Sequence, residues 1–128
     1  MSLFKHLILS LVASASSLFG RQPPVIVIEA EASFYARDYL GKRMANGQPY
    51  NPHRYTVATW DFPLGSVVRV EYVSRNGITR SVLCEVTDRG PAKHLAAKGR
   101  RFDLSYAAFR VLENPKHGVI RVTTTRIK

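Results

Sequence analysis

The sequence predicts a small all-β protein closed into a barrel. Three observations carry this. Five or six short β-branched runs recur along the chain, punctuated by glycine, proline and asparagine. Only residues 106–112 read as a helix. The connections between runs are long and irregular. Closure would leave such a protein with no exposed strand edges. With 128 residues, one domain is expected.

Residues 1–20 read as an export leader. Lys5 precedes an apolar run over residues 7–12, and Ala13-Ser14-Ala15 supplies small residues in the A-x-A arrangement of a cleavage site. The run is far shorter than the ~20 residues that span a bilayer as a helix. No stable membrane insertion is therefore expected once the leader is removed. No cysteine lies near the cleavage point to accept a lipid, so the expected location is periplasmic or secreted, without a lipid anchor. Gln22-Pro23-Pro24 is a stiff spacer, and Val25-Ile26-Val27-Ile28 follows as a short strand. Residues 21–30 thus read as a linker or edge strand ahead of a domain over residues 31–128.

Ala32-Ser33-Phe34-Tyr35-Ala36 is a second short extended segment. Residues 37–55 form a polar stretch with Gly41, Gly47, Pro49 and Pro52. A loop this long in a small domain is functional or disordered, and Tyr39, Tyr50 and Tyr55 favour a packed one. Residues 67–72 are extended and mostly β-branched. Ser74-Arg75-Asn76-Gly77 is a turn, because Asn-Gly tolerates the positive φ of a tight hairpin. Residues 78–86 return as the partner strand, with Ile78, Arg80, Val82, Cys84 and Val86 on alternate positions. Residues 88–101 read as a loop. Ser105 is a good N-cap for the helix that follows, Asn114-Pro115 stops it, and residues 118–127 make the last strand.

Beyond the leader, 18 Lys and Arg stand against nine acids, a net +9. Such a surplus draws a protein to polyanions. The basic residues are scattered instead of gathered on one helix or arm, which argues against nucleic acid. For an exported chain the relevant polyanions are cell-wall glycans, wall acids and lipid headgroups. Cys84 is the only cysteine, so no internal disulfide forms and the core must supply the stability. Its place in a strand pattern marks it as a buried, inert thiol.

Two carboxylates carry the chemistry. Asp88 opens Asp88-Arg89-Gly90-Pro91, where Gly90 permits a sharp turn and Pro91 fixes the next φ. A carboxylate there is held by backbone, which suits catalysis; an Asx-turn that caps its own loop is the structural alternative. Asp103 lies between Phe102 and Leu104, at the approach to the helix. Partial burial there would raise its pKa and make it a proton donor; holding the loop or helix end is the alternative. Two carboxylates in one cleft suit glycosidic cleavage. Arg89 is a candidate substrate contact or a partner for Asp88. Tyr35, Tyr50 and Trp60 offer flat faces to sugar rings or pack in the core. His53, His94 and His117 have no metal-ligand spacing, so neither metal nor cofactor is expected. Ser105 lacks the His and acid pattern of a serine hydrolase.

Ser33-Phe34-Tyr35, Ala45-Asn46-Gly47, Ala58 with Phe62-Pro63-Leu64-Gly65-Ser66, Val68-Arg69-Val70, Asn76-Gly77, Asp88-Arg89-Gly90-Pro91 and Asp103-Leu104-Ser105 occur in an order that resembles the rare lipoprotein A family of bacterial septal-ring proteins. The resemblance covers residues 31–126. It implies a six-stranded double-psi β-barrel with one or two short helices. It also implies a lytic transglycosylase acting on peptidoglycan glycan strands without stem peptides, its cell-division partners undefined. In that chemistry an acid protonates the glycosidic oxygen between MurNAc and GlcNAc, and the MurNAc 6-hydroxyl closes a 1,6-anhydro ring. Asp88 matches the family's catalytic aspartate, with Asp103 supporting it. Tyr35, Asn46, Gln48, Thr59 and Arg89 are the implied substrate contacts. The chain departs from active members at Gln48, where they carry Glu, and at Thr59, where they carry His. Neither replacement is a useful acid or base near neutral pH. It also departs in having no lipidation cysteine and no C-terminal peptidoglycan-binding repeat. The barrel is similar to the first domain of expansins, where the aspartate matching Asp103 is the important one. A non-catalytic wall-binding module is therefore the alternative, and a binding or inhibitory barrel for a protein partner is a third.

Overall fold

Apolar residues at alternate positions of the strands point inward and build the interior, as the period of two requires. The computed structural model describes residues 8–10 and 24–128. Its strands are β1 (Ile8–Ser10), β2 (Val25–Phe34), β3 (Thr56–Ala58), β4 (Val67–Val73), β5 (Thr79–Asp88), β6 (Arg100–Leu104) and β7 (Ile120–Arg126). Its helices are α1 (Lys93–Ala97) and α2 (Tyr106–Leu112), with 3-10 turns at Arg37–Tyr39 and Pro115–His117. The core draws Ile28, Ala30 and Ala32 from β2, Val68 and Val70 from β4, and Val82, Cys84 and Val86 from β5. Phe102 and Leu104 of β6 and Ile120 and Val122 of β7 complete it. Burial pushes the Cys84 thiol up to about 12.

Six strands run in the order β2-β6-β3-β5-β4-β7, and β7 pairs back onto β2 to close the barrel. The ladders β2–β6 and β3–β5 are parallel, each with a register shift. The other four are antiparallel. Parallel neighbours cannot be joined by a tight hairpin. The long connections before β3 and β6 are therefore the crossovers this topology needs. This is the all-β, six-stranded double-psi barrel implied by the sequence, with two short helices. The backbone of β1 pairs antiparallel with Val25–Val27; the rest of the expected leader lies outside the described residues. Among the described residues no helix is long and apolar enough to cross a membrane.

Three sequence expectations change. Val25–Phe34 is one ten-residue strand, because Ile28, Ala30 and Ala32 alternate inward without a break; residues 25–30 belong to the barrel and are not a linker. The expected loop over residues 88–101 holds α1 and the start of β6. Asp103 accordingly sits in a strand, β6, which runs directly into the Ser105 cap of α2. Ile78 and Arg80 are exposed, so the inward face of β5 begins only at Val82.

Helix α2 closes one end of the barrel through Ala108, Phe109 and Leu112, and the Phe34 and Phe109 rings pack at 4.7 Å between centroids. Ser105 fixes that end. Its Oγ accepts from the Ala108 N–H at 3.2 Å and the Thr56 N–H at 3.3 Å, and donates to the Arg54 carbonyl at 2.6 Å. One buried hydroxyl thus joins α2, β3 and the residue 37–55 loop. Ser105→Ala should cost about 2 kcal/mol of stability, measured by urea unfolding, with little change in m-value.

Candidate active site

The two carboxylates meet through Ala58. On one side Ala58 pairs with Asp88 of β5, on the other with Asp103 of β6. Neighbouring strands lie about 4.8 Å apart, so the carboxylates flank a single alanine at one level of the sheet. Period-two alternation on β2 and its continuation puts Ser33 and Tyr35 on a shared face. Ser33 Oγ donates to Asp103 Oδ1 in a short bond, and the Tyr35 hydroxyl donates to Asp88 Oδ2 at 3.0 Å.

Asp88 is fixed by backbone. Its Oδ1 accepts N–H bonds from Arg89 at 2.8 Å and Ala45 at 2.9 Å, and its carbonyl accepts from the Thr59 N–H at 3.1 Å. The amides hold one carboxylate oxygen; Oδ2 carries only the Tyr35 bond among the described residues. Asp103 differs. Burial raises its pKa above the usual carboxylate range, opposed by the Ser33 bond and by Arg100, and the nearby charge of Asp88 pushes it the same way as burial. Burial, followed by the charge of and bond to Asp88, holds the Tyr35 hydroxyl protonated.

Gly90 allows this approach. A Cβ there would lie 3.3 Å from the Tyr35 hydroxyl, 3.6 Å from Ala58 Cβ and 3.7 Å from Asp103 Oδ2. The 37–55 loop forms the facing wall. The Met44 N–H donates to the Gln48 carbonyl and the Gly47 N–H to the Met44 carbonyl, a turn that needs the φ of +88° at Gly47. Met44 is buried, Thr87 Oγ1 donates to its sulfur at 3.3 Å, and the Asn46 N–H donates to the Thr87 carbonyl. The loop is therefore packed, as its tyrosines imply.

Two separate cavities flank this loop, with buried Met44 common to their walls. Beside Asp88 is a cavity of about 150 Å³ walled by Tyr35, Tyr39, Tyr50, Lys42 and Arg43. Next to it is a polar cavity of about 330 Å³ walled by Asn46, Gln48, Asn51, Arg54, Glu85 and Thr87. A larger cavity of about 610 Å³, near Ile26, Phe62 and Ile127, touches neither carboxylate. It lacks the paired acids and has no bearing on the chemistry.

Tyr35 and Asp88 line the smaller cavity and Asn46 and Gln48 the polar one, so the structure does not bring all four to one pocket; Asp103 lines neither. Thr59 and Arg89 line neither of these two cavities. Thr59 is fully buried, with its Oγ1 accepting from the Asp61 N–H. The Arg89 guanidinium donates to the Thr59 and Phe62 carbonyls, both at 2.7 Å, and so braces the β3–β4 connection. Tyr50 is buried, whereas Trp60 is 45% exposed, its Nε1 donating to the Pro91 carbonyl and Lys93 lying over its ring. Ser33, Lys42 and Glu85 were not singled out by sequence. Strand alternation with Tyr35 is the signal for Ser33; the other two depend on loop packing.

Residues 27–124 match the family described as lytic transglycolase, and the chain belongs to that family. Within it the chain is an RlpA-like double-psi β-barrel. The probable endolytic peptidoglycan transglycosylase RlpA of Aquifex aeolicus is 38% identical over 93 residues, covering 73% of this chain and 38% of that protein. The endolytic peptidoglycan transglycosylase RlpA of Pasteurella multocida is 42% identical over 79 residues, 62% of this chain and 24% of that protein. The uncharacterized protein ssl3177 of Synechocystis is 38% identical over 96 residues, 75% of this chain and 94% of that protein. The chain thus spans well under half the length of these RlpA proteins and nearly all of ssl3177. Among solved structures, Streptomyces papain inhibitor superposes with a TM-score of 0.57 at 25% identity, over 80% of this chain and 94% of that one. A Clavibacter michiganensis expansin in complex with cellohexaose gives 0.58 at 18% identity, over 80% of this chain and 50% of that one; it shows the shared fold alone.

Gly90→Ala should displace the Tyr35 hydroxyl from Asp88 and cost about 1–3 kcal/mol, read from the urea midpoint. A second expectation follows from the raised pKa of Asp103. The folded state binds this proton more tightly than the unfolded chain, so the contribution is full below the ordinary value of 3.8 and is lost as pH rises through the raised one. Asp103→Asn should therefore gain on wild type in relative stability between pH 3 and pH 7, measured by urea unfolding across that range.

Proposed function

We propose that this domain is an endolytic peptidoglycan lytic transglycosylase. It cleaves MurNAc–GlcNAc bonds in strands that lack stem peptides and leaves a 1,6-anhydroMurNAc end. It works in the periplasm or outside the cell, after removal of a leader over residues 1–20 and without a lipid anchor. The observation that carries the reading is the pair of unlike carboxylates on either side of Ala58. One is fixed at the smaller cavity, and the other lies in surroundings that favour a proton.

Asp88 gives a proton to the glycosidic oxygen as the bond to the anomeric carbon breaks. GlcNAc leaves with that oxygen as a hydroxyl. The MurNAc 6-hydroxyl attacks the anomeric carbon and returns its proton to Asp88, so no water is consumed and the acid is restored. Asp103 is a positioning residue. Ser33 holds Asp103 on the far side of Ala58 from Asp88, and Tyr35 orients Oδ2 of Asp88. Asn46 and Gln48 supply amides for sugar hydroxyl and acetamido groups in the polar cavity. Gln48 cannot titrate and Thr59 is buried, so the proton transfer falls to the aspartates.

Purified domain incubated with amidase-treated sacculi should release anhydro-ended glycan, detected by mass spectrometry. Asp88→Asn should lower that release by at least about 100-fold. Binding to sacculi with no release, unchanged in Asp88→Asn, would overturn the enzyme reading and leave a non-catalytic, expansin-like wall-binding module.

A further inference from the structure

The cavity that Asp88 lines also carries two cationic side chains, Lys42 and Arg43. Lys42 makes no ion pair among the described residues. Its Nζ lies 5.2 Å from the Tyr39 ring centroid, the Tyr39 ring packs tilted against Tyr35 at 5.7 Å between centroids, and Tyr35 bonds Asp88. One wall thus runs from an ammonium at one end to the working carboxylate at the other.

That ammonium is carried on a rigid frame. The Tyr50 N–H donates to the Lys42 carbonyl at 2.7 Å, and the Gly41 N–H donates to the Tyr50 carbonyl at 2.9 Å. Arg43 donates through one guanidinium nitrogen to the Gly47 carbonyl at 2.7 Å and lines the same cavity. Tyr50 is itself buried, with its hydroxyl accepting from the Tyr106 N–H. The loop is tied to the barrel before any ligand arrives, which lowers the cost of ordering it on binding.

The substrate supplies a matching anion. MurNAc carries a lactyl ether at C3, two ring bonds from the anomeric carbon. With a stem peptide attached, the lactyl carbonyl is a neutral amide followed by a chain. When that amide is hydrolysed, a free carboxylate remains. Asp88 and Lys42 line one cavity, so a MurNAc ring with its glycosidic oxygen at Asp88 would have its C3 substituent within reach of the ammonium. A cavity of about 150 Å³ has room for a lactyl group.

We propose that this cavity reads the free lactyl carboxylate of MurNAc, with Lys42 as its counter-ion and Arg43 beside it. The inference rests on the glycan-cleaving reading above and names the group that makes peptide-free strands acceptable. A charge-assisted hydrogen bond to an ammonium discriminates a carboxylate from an amide of the same shape.

Amidase-stripped glycan strands test this in two forms: with free lactyl carboxylates, and with the carboxylates capped as methylamides by carbodiimide and methylamine. Wild type should bind the free form about tenfold more tightly. Lys42→Met should lose that preference and Lys42→Arg should retain it. A Lys98→Ala/Lys116→Ala double variant removes two exposed cations on other elements and should also retain it, which separates site recognition from the protein's overall charge. Equal binding of both forms by wild type, or an undiminished preference in Lys42→Met, overturns the proposal. A loss of preference in the double variant as large as that in Lys42→Met overturns it too. The same strands keep the two readings apart. Discrimination in binding without any anhydro product sinks the cleavage reading alone. Equal release from both forms, abolished by Asp88→Asn, sinks the lactyl reading alone.

Discussion

The backbone pairing of Ala58 with two strands at once is the constraint on which this site depends. One three-residue strand, β3, lies between the ends of β5 and β6 and joins them by a parallel and an antiparallel ladder. Asp88 and Asp103 are brought level by main-chain hydrogen bonds, not by any attraction between the acids, which repel. The residue between them must be small. Ala58 is fully buried beneath Gly90, and a larger side chain would separate the pieces the ladders bring together.

What the ladders place, the neighbouring atoms make unequal. Asp88 meets two main-chain amides, which fix one carboxylate oxygen in place. Asp103 meets the Ser33 hydroxyl and is part-buried on the face of β6 opposite Phe102 and Leu104. Two identical side chains thus sit in unlike surroundings, and burial raises the proton affinity of Asp103. Tyr35 touches the first and feels the second, and it is held neutral by both. The 37–55 loop then gives the flat end of a barrel a trough. Buried Met44 and Tyr50 anchor that loop, so its polar residues face outward on a fixed support.

Much of this was legible in the sequence. Alternation in residues 67–72 and the Asn76-Gly77 turn gave the β4–β5 hairpin, and Ser105 marked the start of α2. Asp88 was conspicuous because a glycine and a proline follow it closely. The partial burial of Asp103 followed from Phe102 and Leu104. Its strand did not, because β6 opens with Arg100 and Arg101 and exists through pairing with β2 and β3 across long stretches of chain. Arg89 and Thr59 were hard to place for a related reason. Their residue types suit a ligand, but their side chains face carbonyls and amides of the β3–β4 connection, which only the crossover brings near. Lys42 was one cation among many until its loop was seen docked against Asp88.

Cys84 has a consequence of its own. Its side chain sits in the barrel interior between Val82 and Val86, opposite Val68, and its proton is held far above neutral pH. A thiol kept in that form offers no thiolate to oxidants, to disulfide exchange or to a neighbouring chain. The scaffold also has no sulfur bridge to form or lose. The packing that holds the two aspartates level is therefore indifferent to redox conditions, and the same barrel stands in a reducing or an oxidising medium.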